Sequence, residues 1–76
     1  MEWVMVWLNK GYWMTLRDEN DRIVAKYLDA NDGFYRVEFM NSKIDDKTEY
    51  IRVTDMNWHE LQTYIRNKYL LLRGET

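Results

Sequence analysis

His59 is the one histidine of the chain, and Glu60 follows it as it would at the start of a His-Glu-x-x-His metalloprotease helix. That motif needs a second imidazole one helical turn later to complete the zinc site, with the glutamate activating water. Thr63 occupies the second position, so the pair reads as an exposed histidine near a helix start and no metal is expected. Asp29-Ala-Asn-Asp-Gly33 has the composition of a calcium loop without its ligand spacing or its bidentate glutamate, and reads as a hairpin turn. Asp18-Glu19 and Asp45-Asp46 are adjacent carboxylates in polar stretches. Glycosidic acid–base chemistry needs two carboxyls facing each other across a cleft, one with its pKa raised by burial, and a chain of 76 residues has little volume for that cleft. Ser42 is the single serine and has no nucleophile-elbow context; there is no cysteine and no glycine-rich phosphate loop. The expectation is therefore no enzyme and no cofactor.

What remains is binding chemistry, for which the chain is well supplied. It is 46% hydrophobic and 16% aromatic, with four Trp and six Tyr, far more than a disordered segment carries. Eleven Lys and Arg against thirteen Asp and Glu give a net charge of -2. That is too weak for a nucleic-acid mimic and too acidic for a protein held to nucleic acid by its overall charge. The longest apolar run, Trp3 to Leu8, follows Met1-Glu2 without a basic leader, so no membrane span and no signal peptide are expected. The absence of cysteine gives no reason to invoke an oxidising compartment, and the default expectation is cytoplasmic.

These side chains must be placed by a small number of elements. With no proline and three glycines, turns are marked by Asn9-Lys10-Gly11, Asp18-Glu-Asn-Asp21 and Asp29-Ala-Asn-Asp-Gly33, followed by a looser loop at Asn41–Lys47. Between them lie aromatic and β-branched stretches over residues 2–8, 12–17, 22–28, 34–40 and 48–53. Short links between consecutive strands imply an antiparallel meander. From Asp55 the apolar period lengthens: Trp58, Leu61, Ile65, Tyr69 and Leu72 share one helical stripe. Thr54 or Asp55 is the expected cap of a helix over residues 56–73, with Arg66, Lys68 and Arg73 suited to its C-terminal end and Gly74 to its stop. The expected fold is α+β, one domain over residues 1–76: a meander of about five strands, open or curled into a partial barrel, with one C-terminal α-helix packed on it.

Strand parity then divides the side chains. Tyr12, Met14 and Leu16, Tyr35, Val37 and Phe39, and Ile51 and Val53 are expected beneath the helix, with Ile23, Ala25 and Tyr27 preferred over Val24 and Leu28 because Lys is rarely buried. The opposite face would gather Arg17, Arg22, Lys26, Arg36 and Arg52 with Trp13 and Tyr50, against one acid, Glu38. We therefore take Trp13, Arg17, Lys26, Arg36, Tyr50 and Arg52 as candidate partner-binding residues.

The first strand is apolar on both sides, Trp3, Met5 and Trp7 on one and Val4, Val6 and Leu8 on the other. A lone helix can cover only one face, so the cover must come from curling of the sheet, from a second copy, or from another protein. Tyr64 and Leu71, flanking the helix stripe with Met56, extend the apolar surface and join Trp3, Met5 and Trp7 as candidate interface residues. The leading functional expectation is a small binding protein that occupies a surface of a protein partner, in the style of inhibitors that phages and mobile elements direct at host machinery. The alternatives are a single-stranded nucleic-acid binder using the basic, aromatic sheet face, and a structural homo-oligomer, a homodimer in the simplest case.

Overall fold

The computed structural model describes residues 1–8, 10–40 and 48–72. Five strands form one antiparallel sheet in sequence order: β1 (Glu2–Leu8), β2 (Gly11–Arg17), β3 (Ile23–Asp29), β4 (Phe34–Phe39) and β5 (Thr48–Arg52). Among the described residues one helix, α1 (Trp58–Leu72), follows. This is the α+β meander, with the sheet open and β1 and β5 at its two edges. Asn9 of the first turn, the Asn41–Lys47 loop, and Arg73 and Gly74 lie outside the described residues.

Turn chemistry explains where the chain reverses. Lys10, Asp21, Asn31 and Gly33 all take left-handed φ angles, and in the third turn Gly33 at φ 90° relieves a strain that a β-carbon would impose. Side chains brace the same loops: Asp18 Oδ1 accepts from the Asn20 and Arg22 amides, and Asp29 and Asp32 do the same for Asn31 and Phe34. The acidic residues of these turns thus act as local hydrogen-bond acceptors.

Register aligns two sets of rows. Trp3, Leu16, Ala25 and Phe39 are paired across successive strands, as are Met5, Met14, Tyr27 and Val37, and these rows face α1. Leu16, Ala25, Tyr27, Val37 and Phe39 close against Leu61, Ile65 and Tyr69. Leu61 and Ile65 are fully enclosed, so truncating either to alanine leaves a cavity of the kind that costs about 2–5 kcal/mol. The expected inward set of the third strand holds for Ala25 and Tyr27. Between Leu16 and Arg17 the β2–β3 ladder slips, leaving Val24 as an extra residue on β3 and pairing Ile23 with Arg17, so Val24 joins the buried core in place of the expected Ile23, which is half-buried.

Four expectations about the helix and its face are corrected. The cap is Asn57: its Oδ1 accepts from the Glu60 amide at 2.9 Å while Glu60 Oε1 accepts from the Asn57 amide at 3.0 Å, a reciprocal capping box that starts the helix two residues later than Met56. Met56, just before the cap, and Leu61 then stand at the positions of a hydrophobic staple and both pack in the core. Trp58 is outside the core stripe, because side chains lean towards the helix N-terminus and the first helical residue therefore points off its end; its ring stacks on His59 at 3.5 Å between centroids. Tyr12 shares the helix-facing side through its pairing with Trp7 but lies beyond the reach of α1 and is 63% exposed.

Two polar ties fix α1 laterally. Gln62 Nε2 donates to the Tyr27 hydroxyl at 3.0 Å. On the other flank Tyr64 Oη donates to Glu49 Oε2 at 2.9 Å, and the Lys68 ammonium pairs with the same carboxylate. Burial of Tyr27, reinforced by Tyr35, raises its phenol above the ordinary value of 10.0 despite the Gln62 hydrogen bond. The unfolded chain therefore loses this proton first as pH rises, so the stabilisation is complete below pH 10.0 and is lost above it. Chemical denaturation over about pH 9 to 11 should show stability falling more shallowly in Tyr27→Phe than in the wild type. Equal slopes would mean that Tyr27 ionises as easily folded as unfolded.

Candidate functional site

On the face away from α1, the pairings set Lys26 between Thr15 and Glu38, Arg36 beside Tyr50, and Phe34 beside Arg52. Trp13 belongs to the same face, opposite Val6. All six candidate partner-binding residues are thus on strands of one sheet, but they separate into two environments. Arg22 precedes β3 and is exposed. Glu2 pairs with Arg17, so this side carries a second acid besides Glu38.

The β2–β3 part is closed. Trp13 is only 7% exposed although α1 packs on the opposite face, and the Lys26 ammonium sits 4.6 Å from its ring centroid. The aliphatic stem and cation of Lys26 thus help to roof the indole, with Glu38 at 3.8 Å as the counter-charge. Thr15, fully buried beside them, donates its hydroxyl to the Val4 carbonyl at 2.6 Å and so satisfies the polar atom that a central strand position encloses. Arg17 is held by Asp21, through the carboxylate at 3.4 Å and the backbone carbonyl at 3.3 Å, while its Nε is enclosed with no hydrogen-bond partner among the described residues.

The β4–β5 part is open. Tyr50 is 61% exposed, with Arg36 directly opposite and Arg52 two positions along the same strand, both exposed. Arg36 Nε holds Glu38 Oε2 at 3.0 Å, pairing an exposed guanidinium with a half-buried carboxylate and so orienting the arginine. This corner presents an exposed tyrosine with one arginine across the ladder and another two positions along its strand.

The candidate interface residues Trp3, Met5, Trp7, Tyr64 and Leu71 do not form one surface. Tyr64 bonds Glu49 on β5, at the opposite edge from β1, and Leu71 is exposed on the helix. On β1, Trp3 packs edge-on against Tyr27 at 5.5 Å, whereas Met5 and Trp7 are 60% and 57% exposed. Trp7 and Tyr12 meet edge to face at 4.7 Å at the end of the β1–β2 hairpin.

Two shallow depressions lie among the described residues. One shallow depression of about 390 Å³ is lined by His59, Glu60, Thr63, Tyr64 and Asn67, and another of about 430 Å³ by Met1, Glu2, Asp18, Glu19 and Asp21. Among the described residues no group of three or more His, Asp or Glu side chains is placed to hold a metal ion, and no helix is long and apolar enough to cross a membrane. No family model, curated protein or solved structure matches the chain.

The split between a closed and an open half gives a direct contrast. Trp13→Ala should lose about 3–5 kcal/mol in chemical denaturation, as an enclosed aromatic does, while Tyr50→Ala should change stability by less than about 1 kcal/mol. Equal effects would remove the distinction between the two halves of the face.

Proposed function

We propose that this chain is a small non-enzymatic binding protein that acts by occupying an acidic surface of another protein, with Arg36, Tyr50 and Arg52 at the centre of contact. The observation that carries this reading is the exposed Tyr50 on the β4–β5 corner, with the exposed Arg36 directly across the ladder and the exposed Arg52 two positions along its strand. Tyr and Arg are the residue types that dominate interface energetics, because each offers a rigid contact area with polar reach at its tip. The corner sits on paired strands, which limits the ordering entropy that binding must offset. A surface of about 800 Å² per partner is within reach of so small a fold, whereas an enclosed catalytic cavity is not.

A protein partner is favoured over single-stranded nucleic acid for two reasons. Base stacking needs successive open rings, and Trp13 is roofed by Lys26, leaving Tyr50 as the open ring of this set. Glu38 sits among the cations and would oppose a phosphate backbone running over the face.

Affinity capture from host lysate, with and without nuclease, comparing the wild type with Arg36→Glu/Arg52→Glu, tests the assignment. A protein retained by the wild type and lost by a folded double variant is the expected outcome. Retention of the same proteins by both would exclude the β4–β5 corner, and a partner that vanishes with nuclease would favour the nucleic-acid reading.

A further inference from the structure

We infer that β1 is a dimerisation strand, and that a second copy of this chain pairs with it antiparallel about a two-fold axis at Met5. The strand reads Trp3-Val4-Met5-Val6-Trp7, the same in both directions. Antiparallel pairing about a two-fold is isologous for any sequence, and here the palindrome makes every pair like on like and apolar. Centred on Met5, the pairing sets Trp3 against the partner's Trp7, Val4 against the partner's Val6, and Met5 against the partner's Met5.

The backbone is placed for this. The Val4 carbonyl is turned towards β2, where the Thr15 hydroxyl bonds it. Backbone groups in an antiparallel ladder alternate in direction, so Trp3, Met5 and Trp7 aim their N–H and C=O groups away from β2 at the open edge. These three residues are the ones the palindrome sets opposite each other, which yields about six hydrogen bonds across the axis. Side chains follow: Met5 and Trp7, 60% and 57% exposed, meet the partner's Met5 and Trp3. The edge-to-face contacts Tyr27–Trp3 and Trp7–Tyr12 then join across the axis into one aromatic row.

Charge selects the same arrangement. Glu2 lies at one end of the strand and Lys10 just beyond the other, so antiparallel pairing about Met5 brings each glutamate to the end bearing the partner's lysine. Parallel pairing would set like charges together. Moving the axis by one residue, to Val4 or Val6, takes the tryptophans out of opposition. The other edge contrasts with β1: β5 is five residues long and carries Glu49 and Arg52, the charged, short form that resists edge pairing. The dimer does not depend on the β4–β5 corner, which it leaves open and presents twice.

Sedimentation equilibrium at micromolar concentrations tests the axis. The wild type should show a mass rising towards twice 9.4 kDa with concentration. Met5→Lys and Met5→Glu, made at an exposed position that leaves the core intact, should each sediment at 9.4 kDa with wild-type circular dichroism, because like charges meet on the axis. Mixed in equal amounts, they should recover the doubled mass. A wild type that stays monomeric at every concentration, a dimer that persists in either variant alone, or a mixture that stays monomeric would overturn the proposal.

Discussion

One helix has to shelter one face of a five-stranded sheet, and its reach decides the rest of the molecule. A helix with its side chains is about 10 Å across, while five strands at about 4.8 Å spacing span roughly 20 Å. α1 therefore covers part of the sheet. Its stripe of Leu61, Ile65 and Tyr69 closes over Ala25, Val37 and Phe39, and the Glu49–Tyr64–Lys68 cluster ties its flank to β5. On the β1 side the last covered contact is Trp3 against Tyr27. Met5, Trp7 and Tyr12 lie past it on the same face, and their exposure follows from where the helix is held.

On the other face the β2–β3 half is closed by side chains of the sheet itself. Trp13 and Thr15 reach near-complete burial on the twisted β2–β3 ladder because a long cationic side chain lies over the indole and a hydroxyl finds a backbone carbonyl. Lys26 can take that position because Glu38 stands opposite it across β3 and β4. The charged residues of this half are engaged in structure, and the β4–β5 corner is the part of the face left exposed. The two edges of the sheet thus carry different roles in our account: β1 pairs with itself, and the strands near β5 meet a foreign surface. A dimer built this way presents two recognition corners on one continuous sheet, so a repetitive or dimeric partner would gain from effective concentration as well as from contact.

Much of the architecture was legible in residue pattern. Turns rich in Asn, Asp and Gly gave the strand boundaries to within one residue, and the step from alternation to a longer period at Asp55 gave the helix. The helix start was misread because Thr54 and Asp55 are good caps by type. Asn57 and Glu60 form a capping box that the same sequence displays, with Met56 and Leu61 as its staple, and that spacing was the signal to follow. Helix side-chain direction explains why Trp58, though on the right stripe, points off the end. The slip beside Leu16 was not legible, since a bulge leaves no mark in an apolar run such as Ile23-Val24-Ala25. Nor was the burial of Trp13, which depends on a lysine from a neighbouring strand and so on pairing that composition cannot reveal. For the same reason the sequence pattern placed the six candidate residues on one face of the sheet but did not reveal that they divide between an enclosed and an exposed part.

The central claim, that the uncovered edge of β1 is completed by a second copy, is tested most directly by amide hydrogen exchange followed residue by residue as the protein is diluted. Trp3, Met5 and Trp7 should be protected at high concentration and lose protection on dilution, while Val4 and Val6, bonded to β2 within the chain, stay protected throughout. Fast exchange of the three outward amides at every concentration, with Val4 and Val6 protected, would contradict the account and leave β1 an open edge.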